Sequence, residues 1–225
     1  MLSIDFHTHT HHSFDSLMRP EKILHLARLR GLSGIVISDH DTIRGGIECA
    51  AINKDPGLTV IVASEIKTNV GDITALNIKE EITERNFTDV VTATKRQGGL
   101  VLLVHPFHHH KLDEINFEAV DLIEGFNARE FASNNKKAVE LAIAKKKPMV
   151  AGSDAHLYNE IANARTYYDD FSDLTKPLNI EGKRNAMHNE VASQLIKAYK
   201  TKSAKRFYQW CTWAPAHLYK RMKEK

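Results

Sequence analysis

Short groups of histidine and carboxylate residues recur along the chain: His7-Thr8-His9, Ser38-Asp39-His40-Asp41, Ser64-Glu65, His105-Pro106 and Ser153-Asp154-Ala155-His156. Imidazole and carboxylate together suit Zn, Mn or Fe ions. The two cysteines, Cys49 and Cys211, stand far apart in no metal-binding spacing, which excludes a thiolate site. Alternate side chains of a strand share a face, so His7 and His9 can grip one ion, and Asp154 with His156 repeats that spacing with a carboxylate added. Taken singly, each group has an ordinary reading as a satisfied polar pair, a helix N-cap or an exposed strand end. Occurring together, they favour a metal site.

Strands must position these groups. Runs rich in Val, Ile and Leu predict strands at residues 2–6, 34–38, 58–64, 73–78, 99–104, 121–126, 149–151 and 164–168. Apolar stripes predict helices between them: one opened by Pro20 and closed by Gly31, others at 43–53, 87–97 and 134–146. Six strand ends then carry chemistry-bearing residues, at His7, Asp39, Glu65, His105, Asn127 and Asp154. Alternating strands and helices predict a parallel sheet, and closing it into a barrel gathers those ends on one face. The barrel is expected over residues 1–182, with a basic helical extension over 183–225 packed on it. That extension predicts helices at 186–199 and 204–223, the second broken by Pro215.

The bulk properties agree with one domain of ordinary size. The 225 residues are 42% hydrophobic and 26% charged, which excludes a disordered or collagen-like chain. No apolar run reaches the roughly 18 residues of a spanning helix, so no membrane partner is expected. The first ten residues, with Asp5, His7 and His9, do not read as a secretory leader. A cytoplasmic location is therefore expected. The net charge of +3 conceals a basic tail, since residues 183–225 hold 11 Lys and Arg against Glu190 and Glu224.

In order along the chain, Asp5-Phe6-His7-Thr8-His9-Thr10, Ser38-Asp39-His40-Asp41-Thr42, Glu65, His105-Pro106 and Gly152-Ser153-Asp154-Ala155-His156 resemble the successive motifs of the polymerase and histidinol phosphatase (PHP) family. The resemblance runs from residue 2 to residue 156. It implies an α/β fold, a distorted (β/α)7 TIM-like barrel, with two or three divalent metal ions and phosphoester hydrolysis. It further implies that His7 and His9 hold one ion with Asp154, and that Glu65 bridges it to a second ion bound by His105. Asp15, His40 and His156 would serve a third ion, with His11 and His12 as competitors of Asp15. The chain departs from the family pattern at Asn127, where many members carry a histidine. It departs again after Glu65, where Asp72 is the nearest polar candidate.

Other residues invite catalytic roles. Arg129 follows a strand end and is the candidate phosphate clamp, with a solvated surface arginine as the equal alternative. Asp41 and Asp5 are candidates to orient ligand imidazoles. His108, in the run His108-His109-His110, is the candidate acid for the leaving group. Short loops predict an open, shallow site for a small phosphorylated substrate such as a nucleotide, or for the end of an oligonucleotide. The tail interleaves Tyr199, Phe207, Tyr208, Trp210, Trp213 and Tyr219 with cations. It either stacks nucleic acid or, in the favoured reading, packs these aromatics on the barrel. Two rival functions remain open. An amidohydrolase barrel also begins with His-x-His, but it usually bridges its metals through a modified lysine, and Lys67 is off the position that Glu65 occupies. A catalytically silent nucleic-acid-binding module would have lost ligands that this chain retains.

Overall fold

A computed structural model of the chain describes residues 1–203 together with residues 205, 208, 215 and 219. Nine strands form one curved sheet: β1 (Leu2–Thr8), β2 (Gly34–His40), β3 (Thr59–Thr68), β4 (Gly71–Leu76), β5 (Leu100–Leu103), β6 (Leu122–Asn127), β7 (Met149–Gly152), β8 (Ala164–Tyr168) and β9 (Asn179–Gly182). Among residues 1–203, five α-helices accompany them: α1 (Pro20–Leu29), α2 (Arg44–Ile52), α3 (Phe87–Arg96), α4 (Ala132–Lys145) and α5 (Met187–Lys200). Among the described residues, no helix is long and apolar enough to cross a membrane.

Local chemistry explains the helix ends. Pro20 occupies the first turn of α1, where a missing N–H costs nothing, and Ile23, Leu24 and Ala27 form its buried stripe. The chain leaves α1 through Gly31, at a φ of 74° that glycine adopts without penalty. The Asn86 side chain accepts a hydrogen bond from Thr88 N at 3.0 Å and so caps α3.

The sheet order is β7-β6-β5-β4-β3-β2-β1-β8-β9. It corrects the expectation of a purely parallel sheet. Pairs β1/β2, β2/β3, β5/β6 and β6/β7 are parallel, whereas β3/β4, β4/β5, β1/β8 and β8/β9 are antiparallel. The reason is connection length: only Asn69 and Val70 separate β3 from β4, too few for a crossover helix. The segment that follows β8 contains β9, which pairs back with β8. The β7 end of the order comes back to β1 where Thr8 bridges Ala155, just beyond β7, so the sheet is a nearly closed, distorted barrel.

Inside it, Ile4, Phe6, Val36, Ala63, Leu102, Val104, Leu122 and Val150 form a buried apolar floor. Alternate residues climb from that floor to polar groups: Val36 to Ser38 and His40, Ala63 to Glu65, Leu122 to Glu124. Strand β1 reaches the same end differently. Asp5 pairs with Ile35 but Thr8 with Ile37, one extra residue on β1, and this bulge turns His7 and His9 inward above Ile4 and Phe6.

The first tail helix is α5, close to its expected bounds. Lys205, Tyr208, Pro215 and Tyr219 are helical and exposed. Of the tail aromatics, Tyr199, Tyr208 and Tyr219 are exposed. Phe207, Trp210, Cys211 and Trp213 lie outside the described residues.

Candidate metal centre

Glu65 is the hub of the polar end of the barrel. Its Oε2 lies 3.2 Å from His7 Nε2, 3.5 Å from His9 Nε2 and 3.2 Å from His40 Nδ1, while Oε1 lies 2.8 Å from His105 Nε2. Asp154 Oδ1 stands 3.8 Å from His7 Nε2, 3.4 Å from His9 Nε2 and 3.3 Å from His156 Nδ1. Asp15 spans His40 and His156, with each of its oxygens 3.3 Å from one Nε2. All eight residues expected as metal ligands are thus brought together by the fold.

Donor atoms within 4.8 Å of one another fall into overlapping sets: His7, His9 and Glu65; His7, His105 and Asp154; Glu65, Asp72 and His105; and His9, Asp15, His40 and His156. The expected third set gains His9, and Asp72 joins the second. The donors fit divalent cations. His9 Nε2, His105 Nδ1 and Asp15 Oδ1 are buried without a hydrogen-bond partner, an arrangement that is costly unless something cationic or a proton is shared there.

Electrostatics tell the same story. Burial works against a charged His7, yet Asp154, Glu124 and Glu65 hold its imidazole well above the usual value. Burial likewise opposes charge on His40 and His105, but Asp15 and Glu65 raise the first to about 9, and Glu65 raises the second to about 10. Burial and the neighbouring His156 push His9 down to about 3, so it stays neutral. Against their own burial, Glu65, Asp15 and Asp154 are held well below the carboxylate range by these imidazoles.

Surrounding residues fix the ligands. Glu124 accepts from His105 N at 2.7 Å and Asn127 Nδ2 at 3.0 Å, and its Oε1 is 3.0 Å from His7 Nδ1. This carboxylate was not singled out from sequence, although an acid amid the apolar run of β6 is the signal that marks it. Asn127 does not stand in as a lone ligand: its amide ties Glu124 to Asp154 Oδ2, the latter at 3.2 Å. Ser13 Oγ lies 3.0 Å from His9 Nδ1, and the Phe14 ring stacks on His40 at 4.5 Å.

Three residues expected to act at the site meet other partners in the structure. Asp41 is 40% exposed and paired with Arg85 at 3.3 Å, in a different cleft, because its φ of 57° turns it off the strand. Asp5 holds the backbone instead of an imidazole ring, accepting from Ser153 N and Ala162 N at 2.8 Å each, and burial raises it to about 6. Arg129 lines the cavity, but Nη1 donates to Ser193 Oγ at 2.8 Å and Nη2 to both oxygens of buried Glu160. Its head is therefore a strut between α5 and the loop after β7. His108 does reach the cavity, with Nδ1 2.8 Å from Glu130 Oε1.

The cavity measures about 210 Å³ and opens over Glu65, Asp154 and Asp15. Glu190, Gln194 and Lys197 of α5 form part of its wall. The expectation of a shallow site built only from barrel loops missed this wall, because nothing in the spacing of the tail says where α5 docks.

Residues 132–178 match the family model of the PHP-associated region. An uncharacterized protein of Methanocaldococcus jannaschii is 29% identical over 160 residues, covering 62% of this chain and 94% of the relative. A 5'-3' exoribonuclease of Haemophilus influenzae is 35% identical over 65 residues, 29% of this chain and 23% of that protein. Among solved structures, a two-domain protein of Bacteroides vulgatus containing a predicted PHP-like metal-dependent phosphoesterase superposes with a TM-score of 0.62 at 20% identity, over 73% of this chain and 57% of that one. An amidohydrolase of Chromobacterium violaceum with bound sulfate superposes with a TM-score of 0.61 at 14% identity, over 84% of this chain and 96% of that one. In fold the chain is similar to these barrels, and the match to the PHP-associated model is confined to residues 132–178.

Proposed function

We propose that the chain is a metal-dependent hydrolase of phosphate esters. The observation that carries this reading is the Glu65 carboxylate, set among four imidazoles with Asp154 and Asp15 completing adjacent ligand sets at one cavity. His7, His9, Glu65 and Asp154 would hold one ion, Glu65, His105 and Asp72 a second, and Asp15, His40, His156 and His9 a third. When bound, such ions supply Lewis acidity, lowering the pKa of water and neutralising phosphoryl charge. Zn, Mn and Fe all suit this donor set.

The chain's own groups orient and move protons. Glu124 holds the His7 ring through Nδ1, and Asn127 fixes the Asp154 carboxylate. His108, which lines the cavity with Nδ1 held by Glu130, would protonate the leaving oxygen. Nucleotides and the ends of oligonucleotides are the favoured substrates, a choice supported by the exoribonuclease among the relatives. A cytoplasmic location accords with the free Cys49.

The amidohydrolase reading draws on the similar barrel of the C. violaceum protein. It is disfavoured because buried Glu65 sits between the ligand sets, whereas Lys67 points to solvent. Phosphate release from p-nitrophenyl phosphate, nucleoside monophosphates and a short oligonucleotide, with and without Mn or Zn, tests the proposal. Metal-dependent turnover abolished in His7→Ala and Asp154→Ala is the expected result. Turnover of amides alone would favour the amidohydrolase, and metal binding with no turnover would favour a silent module.

A further inference from the structure

Two cations, Arg129 and Lys197, line the cavity. The guanidinium of Arg129 is committed to Glu160 and Ser193, so it braces the wall. Lys197 is placed differently. It stands on α5 with Glu190 and Gln194, spaced so that one helical face borders the cavity. One turn later Lys200 Nζ donates to the carbonyls of His11, Ser13 and Ser16 at 2.6, 2.5 and 3.1 Å. Those bonds fasten α5 to the loop that carries Asp15. Lys197 Nζ consequently lies 3.9 Å from Asp15 Oδ2, at the outer limit of an ion pair, and 4.3 Å from the Phe14 ring centre. Phe14 in turn stacks on His40, so the ammonium borders the Asp15, His40 and His156 ligand set.

The cavity lining is otherwise rich in carboxylates, including Glu130 and Glu190 beside those of the ligand sets. A phosphoryl group entering there carries up to two negative charges and needs a cation beyond the ions themselves. We propose that α5 builds a phosphoryl-binding subsite, in which Lys197 Nζ holds a non-bridging phosphate oxygen and Gln194 lies beside it. This rests on the phosphoesterase reading and makes the C-terminal extension part of the active site. Lysine suits the task as a point charge on a flexible stem.

The test uses the full chain loaded with Mn. Calorimetric binding of inorganic phosphate and steady-state hydrolysis of p-nitrophenyl phosphate are compared for the wild type, Lys197→Met and Lys197→Arg. The expected result is phosphate affinity weakened and KM raised about 10-fold or more in Lys197→Met. Its kcat and metal content should stay near wild type, and Lys197→Arg should restore both lost properties. Unchanged phosphate affinity and KM with intact metal content would overturn the proposal. So would loss of bound metal in Lys197→Met, since Lys197 would then serve only to hold Asp15. Phosphate binding that weakens in Lys197→Met, in a wild type that hydrolyses no phosphoester, would keep the subsite and sink the hydrolase reading. A metal-loaded wild type that binds no phosphate would sink both.

Discussion

Carboxylates around the imidazoles divide into those that take a ligand's place and those that hold a ligand still, and burial separates the two only in part. Glu124 is buried and touches His7, the His105 backbone and Asn127, so replacing it disturbs three groups at once. Glu124→Gln should weaken Mn or Zn affinity by about 10–100-fold, as for other groups that orient metal-binding histidines. Titration against a competing chelator measures this, and wild-type affinity would refute it. Asp41 gives the contrasting case, because its exposed pair with Arg85 faces another cleft. Asp41→Ala should leave metal affinity unchanged and cost at most about 1 kcal/mol of stability. Glu124 is marked locally by the apolar run of β6 around it, whereas Asp41 follows His40 and looks as much a site residue in sequence. The φ of 57° at Asp41 is what turns it away.

Strand ends do the positioning, and their success depends on how the barrel closes. Gly152 lies on β7 where it passes β1, and an added Cβ there would press into Glu124 Oε1 and His7 Cβ. Gly152→Ala should therefore cost about 1–3 kcal/mol by overpacking and lower metal content as well. Denaturant unfolding and metal analysis together check the point; a variant matching wild type in both would show that β1 and β7 can part without loss. The bulge in β1 is equally local in cause and wide in effect. Without it the odd-numbered residues His7 and His9 would share the face opposite Phe6. Helix α5 acts as an element in the same sense, joined to the Asp15 loop through Lys200 and to Arg129 through Ser193.

For the whole molecule, the cluster of carboxylates and imidazoles couples metal, protons and stability. Without ions, His40 and His105 are raised to about 9 and about 10 from the ordinary 6.5. An ion takes the neutral imidazole, so protons must leave as it enters. Metal affinity should rise with pH up to about 9 to 10, and uptake at pH 7 should release protons. Calorimetry in buffers of different ionisation enthalpy counts them, and zero release would contradict the account. The same raised values stabilise the ion-free fold fully below pH 6.5, and that contribution is lost as pH climbs through about 9 and 10. The melting temperature in chelator should accordingly fall between pH 7 and 10, while the metal-loaded protein is spared.

The sequence by itself determined the order of most elements and the eight metal-ligand candidates. Runs such as Ile35–Ile37 and stripes such as Ile23, Leu24 and Ala27 are local, and motif residues sit directly at their ends. It also marked Asn127 as unusual, without showing that its amide ties Glu124 to Asp154. Tertiary structure alone decided the partners of Arg129, the outward turn of Asp41 and the docking of α5 beside the cavity. Those features depend on contacts between residues far apart in the chain, such as Lys200 with Ser13 or Arg129 with Glu160, and no spacing or composition encodes which distant partner a side chain will meet.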